Sequence, residues 1–314
     1  MPTSLVTGGG GFIGSHLVDA LLARGDEVRV LDNFSTGKLE NLQHNIERIE
    51  LFTGDLRENV ILDDVVEGVD FIFHEAAFVS VPQSMEDPDS CFDINVNGTG
   101  KLLAAARRAG VKRVVLASSA AVYGQNEAVP LVEDEDPDPL SPYAASKSIN
   151  EIYARLFTKQ LGLDVVALRY FNVYGPRQNP ASDYAAVVPI FIKTLEDEDI
   201  PVIYGDGLQT RDFVYVTDVV QANLQAAESN NAPGLAFNIC SGEEINLLDL
   251  LDKLSTIFNR KILPEFKEAR PGDIYRSLGN PNKASELLGF TAVTSMAVGL
   301  SETAAWMRRS FTIS

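Results

Sequence analysis

Tyr143 and Lys147 lie four residues apart in Ser141-Pro142-Tyr143-Ala144-Ala145-Ser146-Lys147, a spacing that sends both side chains from one face of a helix. An ammonium beside a phenol favours the phenolate and lowers a tyrosine pKa from its ordinary value of about 10. Such a pair accepts the proton of an alcohol near neutral pH, as oxidation of a hydroxyl requires. The spacing alone is common on exposed helices. Its weight comes from two features upstream: the pair Ser118-Ser119, 24 to 25 residues earlier, and a glycine-rich turn near the N-terminus.

That turn reads Val6-Thr7-Gly8-Gly9-Gly10-Gly11-Phe12-Ile13-Gly14. It follows a β-branched run and opens a helical pattern. Gly8, Gly11 and Gly14 recur every third residue, allowing a tight turn, close backbone approach to a pyrophosphate and close packing of helix on strand. The phosphates of a dinucleotide would meet the free N–H groups of the helix start. Asp32 falls 18 residues beyond Gly14 at the end of the next strand. A carboxylate there accepts from ribose hydroxyls and repels a 2′-phosphate, favouring NAD over NADP. Asp55, in Gly54-Asp55-Leu56 after the third strand, is placed to approach the adenine amine. An aspartate in either place is also an ordinary turn or cap residue.

The elements that must hold these residues follow from the pattern. Short apolar runs at Ser4–Thr7, Glu27–Leu31, Ile49–Thr53, Phe71–His74, Val114–Ala117 and Val165–Arg169 alternate with helical stretches at Phe12–Arg24, Ile94–Ala109 and Tyr143–Leu161. Buried strands separated by helices make a doubly wound parallel sheet, the Rossmann type of α/β fold. After Arg169 the prolines 176, 180, 189 and 201 break the chain into shorter elements, which reads as binding loops. A helix at Thr217–Glu228, a strand at Ala236–Ile239, a helix at Leu247–Phe258, a loop at Ala269–Leu278 and a helix at Lys283–Leu288 follow. We expect residues 1–172 with about 212–236 to hold NAD. Residues 173–211 with 237–314 then form a smaller, interleaved substrate lobe.

Composition sets the outer limits. The 314 residues suffice for one large domain or two moderate ones, and 45% hydrophobic with 22% charged residues is ordinary for a globular protein. Twenty-six basic against 44 acidic residues leave a net charge of −18, which argues against nucleic acid and anionic membranes as partners. Two cysteines, Cys91 and Cys240, and three scattered histidines form no metal-ligand spacing, and a reducing cytoplasm is expected. No apolar run approaches 18 residues and no signal peptide is expected.

With Ser118-Ser119-Ala120-Ala121-Val122-Tyr123-Gly124 between the glycine turn and the Tyr143/Lys147 pair, the chain resembles the extended short-chain dehydrogenase/reductases. Within them it looks like the NAD-dependent nucleotide-sugar epimerases, the UDP-hexose 4-epimerases in particular. Matching segments run from Thr7 to about Leu288 and include Asn95-Val96-Asn97-Gly98-Thr99, Leu168 to Arg177, Arg211-Asp212-Phe213 and Arg270-Pro271-Gly272-Asp273. The resemblance implies that Tyr143 is the acid/base. Lys147 binds the nicotinamide ribose and lowers the tyrosine pKa, and Ser119 bridges the sugar 4-hydroxyl, with Ser118 nearer the cofactor. It places Gly8, Gly11, Phe12, Ile13, Gly14, Asp32, Asn33, Asp55, Leu56, Ala76, Ala77, Asn95 and Tyr170 around NAD.

For the substrate, the resemblance implies Asn172 at the diphosphate or sugar, Arg211 and Arg270 on the UDP phosphates and ribose, Asp273 on the uridine ribose, and Tyr204 packed on uracil. Arginine forks suit a diphosphate, although arginines of an acidic chain also form surface ion pairs. Ala186 and Val187, in Tyr184-Ala185-Ala186-Val187-Val188-Pro189, look like members handling N-acetylated sugars. Ser277 aligns with the position whose size gates the C2 substituent, or is simply a small residue. Dehydratases of the family carry Asp or Glu just after the serine; here stand Ala120 and Ala121. The implied reaction is therefore hydride removal and return on UDP-glucose/UDP-galactose, with the N-acetylated pair accepted too. A uronic acid 4-epimerase, a dehydratase or decarboxylase, and a non-catalytic NAD-sensing module are the competing readings. A homodimer through helices near Cys91–Ala109 and Tyr143–Leu161 is the family expectation.

Overall fold

The computed structural model describes residues 1–126, 128–180, 186–269 and 274–312, with side chains described as far as 309. Its first half alternates as expected: β1 (Thr3–Thr7), α1 (Phe12–Arg24), β2 (Glu27–Asp32), β3 (Ile49–Thr53), α2 (Asn59–Val66), β4 (Phe71–His74), α3 (Val81–Glu86), α4 (Pro88–Phe92), α5 (Thr99–Ala109), β5 (Arg113–Ser119), α6 (Pro142–Leu156) and β6 (Asp164–Tyr170). The rest comprises β7 (Asn172–Tyr174), α7 (Val187–Glu196), β8 (Val202–Tyr204), β9 (Thr210–Tyr215), α8 (Val216–Glu228), β10 (Ala236–Ile239), β11 (Glu244–Asn246), α9 (Leu247–Ile257), β12 (Glu265–Lys267), α10 (Asn282–Leu288) and α11 (Met296–Thr312).

Seven parallel strands form one sheet in the order β10-β6-β5-β4-β1-β2-β3. Successive strand residues feed opposite cores, as the two-residue period demands. Val6, Phe73, Val115 and Val166 pack with Leu17 and Val18 of α1 and Val219 of α8. Leu5, Ile72, Val114 and Val165 pack on the other face with Leu62, Leu102 and Ala154. Strand order reverses between β1 and β4, which are paired from Ser4↔Phe71 to Thr7↔His74. The crevice above the carboxyl ends of these strands is where an open α/β sheet binds its ligand.

A second sheet, β11-β9-β7, and a pair, β12-β8, belong to the smaller part of the molecule. Their core gathers Tyr174, Phe191, Ile203, Tyr215, Leu250, Leu254 and Leu300. β10 pairs with β6, so the large sheet continues past the boundary at 236 expected from the sequence. The helices expected over 94–109 and 143–161 are each broken by a wide, π-helical turn, at Asp93–Gly98 and Phe157–Leu161. α3 and α4, of six and five residues, are too short to display a helical period and are set by Ser80 and Asp87 caps with proline in the first turn. α7 arises where prolines suggested loops, because Pro189 falls in its first turn, where no N–H is needed.

Candidate active site

The glycine turn joins β1 to α1. Gly8 adopts φ +71°, and a Cβ on it would sit 2.6 Å from the Ala76 nitrogen. A Cβ on Gly14 would collide with the Gly8 carbonyl, so α1 can pack on the turn only with glycine there. A Cβ on Gly11 would meet only the Gly8 oxygen, at 3.1 Å, leaving open space over the turn. No side chain caps α1 and no acidic residue lies in its first turn. An uncapped helix start beside open space fits the pyrophosphate of NAD. Phe12 and Ile13 turn away and pack against the core of the smaller part.

Asp32 ends β2 with its carboxylate held by backbone donors: Gly10 N–H at 2.8 Å and Phe34 N–H at 2.7 Å. Burial raises its pKa against these bonds. Asn33 donates to Asp55 at 2.9 Å. The Arg57 guanidinium beside Asp55 holds that carboxyl well below the usual range. Leu56 is buried against Gly98. Ala76 and Ala77 follow β4 at the crevice.

α6 carries the reactive pair. Ser141 caps it by accepting from the Ala144 N–H at 3.1 Å, and Pro142 pre-sets the first turn. The Ser119 hydroxyl, which accepts from the Ala121 N–H at 3.2 Å, lies close enough to Tyr143 to favour its ionised form. Lys147 is buried, donates to the Ala117 carbonyl at 2.7 Å, and holds its nitrogen 5.7 Å from the centroid of the Tyr143 ring. The three side chains converge, but the Tyr143 pKa moves opposite to the direction expected from charge alone. Burial raises the Tyr143 pKa, with Ser119 opposing it, and burial lowers the Lys147 amine to about 8, with Glu75 opposing that. In so buried a site, desolvation exceeds the attraction anticipated between phenolate and ammonium.

The side chains of two residues expected around the cofactor have protein partners. Ser118, 3% exposed, donates to Glu151 Oε1 at 2.6 Å. Glu151 in turn takes two bonds from Arg169, at 2.9 and 2.7 Å. Arg169 donates to the Tyr123 hydroxyl at 2.8 Å, and Tyr123 donates to Asn238 at 2.6 Å. This buried network underlies β5 and α6, sitting one turn from Lys147. The Asn95 side chain is likewise committed, accepting from the Phe78 N–H at 2.7 Å and donating to the Phe78 carbonyl at 3.0 Å and Ser146 at 2.9 Å. It fixes the loop after β4 to α6.

Tyr170, at the end of β6, donates to Glu75 Oε1 at 2.8 Å and accepts from Asn223 Nδ2 at 2.8 Å. Sequence reasoning missed Glu75, Asn223, Glu151 and Arg169. The first stands directly before Ala76-Ala77, and Glu151 lies one turn beyond Lys147, so an extended helix-face reading would have reached it.

On the substrate side, Asn172 opens β7 and Val187 opens α7. Arg211 lies on β9 and donates to the Thr210 carbonyl at 2.8 Å. The Ser277 N–H donates to that same carbonyl at 3.3 Å, bringing Ser277 beside Arg211. Tyr204 ends β8, and its carbonyl accepts from Gln209 at 2.7 Å. Arg270, Asp273 and the segment Tyr184-Ala185 lie outside the described residues. Ala120 and Ala121 lie in a 3₁₀ turn after Ser119.

A family model described as the NAD dependent epimerase/dehydratase family matches residues 4–240. The UDP-glucose 4-epimerase of Mycolicibacterium smegmatis is 39% identical over 309 residues, 97% of this chain and 98% of that protein. A UDP-N-acetyl-alpha-D-glucosaminuronate decarboxylase of Bacillus cytotoxicus is 33% identical over 319 residues, 97% of each. Among solved structures, the chain is similar to the UDP-N-acetylglucosamine 4-epimerase of Methanobrevibacter ruminantium M1, in complex with UDP-N-acetylmuramic acid. The TM-score is 0.95 at 40% identity, covering 98% of this chain and 99% of that one. It is also similar to the UDP-glucose 4-epimerase of Thermotoga maritima with UDP-glucose, with a TM-score of 0.94 at 37% identity and the same coverage.

Proposed function

The chain belongs to the NAD dependent epimerase/dehydratase family, and from that premise we propose that it interconverts the C4 epimers of UDP-hexoses, UDP-glucose with UDP-galactose and also UDP-GlcNAc with UDP-GalNAc. One observation carries the reading: Tyr143 stands with Ser119 and with buried Lys147, whose nitrogen is 5.7 Å from its ring, and the residues following Ser119 are two alanines. Tyr143 has the position of a base for a hydroxyl, and nothing at 120 or 121 can shuttle the proton that elimination of water would need.

In this reading Tyr143 takes the proton of the 4-hydroxyl while Ser119 holds the reacting oxygen. Bound NAD supplies the acceptor and later donor of the hydride at C4. The sugar must turn between the two transfers so that its opposite face receives the hydride, and Tyr143 then returns the proton. Lys147 holds the ribose side and contributes positive charge. Arg211 and Arg270 neutralise the diphosphate, Asn172 hydrogen-bonds beside it, Asp273 accepts from the uridine ribose, and Tyr204 packs on the base. The small Ser277 beside Arg211 supports room for an acetamido group at C2. Two copies pairing through α6 would cover Ile152 and Leu156, apolar side chains one turn apart that are 51% and 44% exposed.

The test is a panel of UDP-sugars incubated with the purified protein without added NAD, with products separated. We expect C4 epimers of the hexoses, and a fall of at least about 10²-fold in Tyr143→Phe. A pentose or a deoxy-keto product would instead establish decarboxylation or dehydration, and near-normal turnover by Tyr143→Phe would remove it as the base.

A further inference from the structure

Glu75 is a carboxyl in the crevice that the reaction above leaves unused. It continues β4 by one residue, its N–H donating to the Thr7 carbonyl at 3.1 Å, so it stands at the point where strand order reverses. Alternation sends His74 to Thr7 and Thr99, at 2.7 and 2.9 Å, and Glu75 to the other side. There Tyr170 of β6 donates to it at 2.8 Å, and Asn223 of α8 holds Tyr170. The charged or titratable groups that act on it are Tyr170 from β6 and Lys147 and Tyr143 from α6. Geometry places it there as well: Glu75 follows His74, which pairs with Leu116 of β5, and the next β5 residue, Ala117, carries the carbonyl to which Lys147 donates at 2.7 Å. The carbon that would lose hydride bears the oxygen that Tyr143 would deprotonate, so a charge held beside Tyr143 and Lys147 would also act on a bound nicotinamide.

We propose that Glu75, fixed by Tyr170 and Asn223, places a negative charge beside the nicotinamide and biases the bound cofactor towards its oxidised form. The oxidised ring carries one more positive charge than the reduced ring, so a nearby carboxylate stabilises it selectively. An epimerase needs such a bias, because cofactor left reduced after loss of a keto sugar is idle. Burial raises the Glu75 pKa to about 7, so the group is largely ionised at pH 8.5. The inference rests on NAD as the cofactor and on Tyr143 as the base, and not on which sugar is turned over.

The experiment is an anaerobic titration of the NAD-loaded protein at pH 8.5 against an equilibrating redox dye, following absorbance at 340 nm with no sugar present. Glu75→Gln keeps an acceptor for Tyr170 and removes the charge; Glu75→Leu removes both; Glu75→Asp keeps the charge. Both neutral variants should hold about tenfold more reduced cofactor at a given dye poise, about 30 mV for a two-electron couple, while Glu75→Asp stays near the wild type. A potential unchanged or lower in whichever neutral variant retains NAD would overturn the assignment, even if turnover fell. A failed sugar panel with a shifted potential would instead fault the epimerase reading alone.

Discussion

Tyr143 illustrates how burial and charge compete at a single side chain. Desolvation pushes the phenol above its ordinary value and lowers the Lys147 amine to about 8. The lysine is thus neutral before the phenol ionises, and cannot alone draw it into the neutral range. Oxidised NAD adds a positive charge to the same dry space, which favours the phenolate. We therefore expect the phenolate absorbance near 295 nm, taken as wild type minus Tyr143→Phe, to titrate above pH 10 in cofactor-free protein and below it when NAD is loaded. Binding of NAD should accordingly release protons at alkaline pH. Equal titration with and without NAD would mean that the cofactor does not tune the base. The spacing of Tyr143 and Lys147 was legible in the sequence, but the direction of each shift was not, because it depends on how completely distant segments exclude water.

At the scale of elements, the glycine turn and α6 were both readable, for local reasons. Ser141-Pro142 is a cap and first turn that any helix would accept, and the three-residue glycine interval is a demand of backbone geometry. The tightness of that geometry gives a prediction. Gly14→Ala would press a methyl onto the Gly8 carbonyl and to 2.9 Å from the Gly9 Cα. The cofactor-free protein should lose about 1–3 kcal/mol, as overpacked sites do, and the purified protein should carry less NAD. Urea unfolding and absorbance of released cofactor check the two effects; unchanged values in both would show that the turn relaxes freely. The wide turns at Asp93–Gly98 and Phe157–Leu161 were not readable, because one inserted residue does not disturb an apolar pattern enough to be seen.

At the scale of the whole molecule, the site joins two sheets. Asp212, fully buried on β9, accepts from the Ser241 N–H and hydroxyl at 2.7 and 2.8 Å, Gly242 N–H at 3.0 Å and Gly279 N–H at 3.2 Å. One carboxylate thereby ties β9, with Arg211, to the end of β10 and to the segment of Ser277. With Ser277 anchored this firmly, its side-chain volume should decide what fits beside it. Ser277→Tyr should lower kcat/KM for UDP-GlcNAc by about 10-fold or more relative to UDP-glucose, within the range by which pocket size discriminates. Steady-state kinetics on both sugars checks this, and equal losses on the two would remove Ser277 as a gate. Among the described residues no helix is long and apolar enough to cross a membrane.

The sequence by itself determined the parallel sheet, the dinucleotide turn and the Tyr143/Lys147 face, because each follows from a short-range period or a local backbone requirement. It also marked Ala120 and Ala121 as the place where an acid is missing. Only the tertiary structure decided that Ser118 is tied to Glu151, that Asn95 clamps the loop after β4, and that Glu75 takes a bond from Tyr170. Those outcomes depend on which face of a strand is covered and on partners as much as 95 residues away, and burial by such partners shifts Tyr143, Lys147 and Glu75.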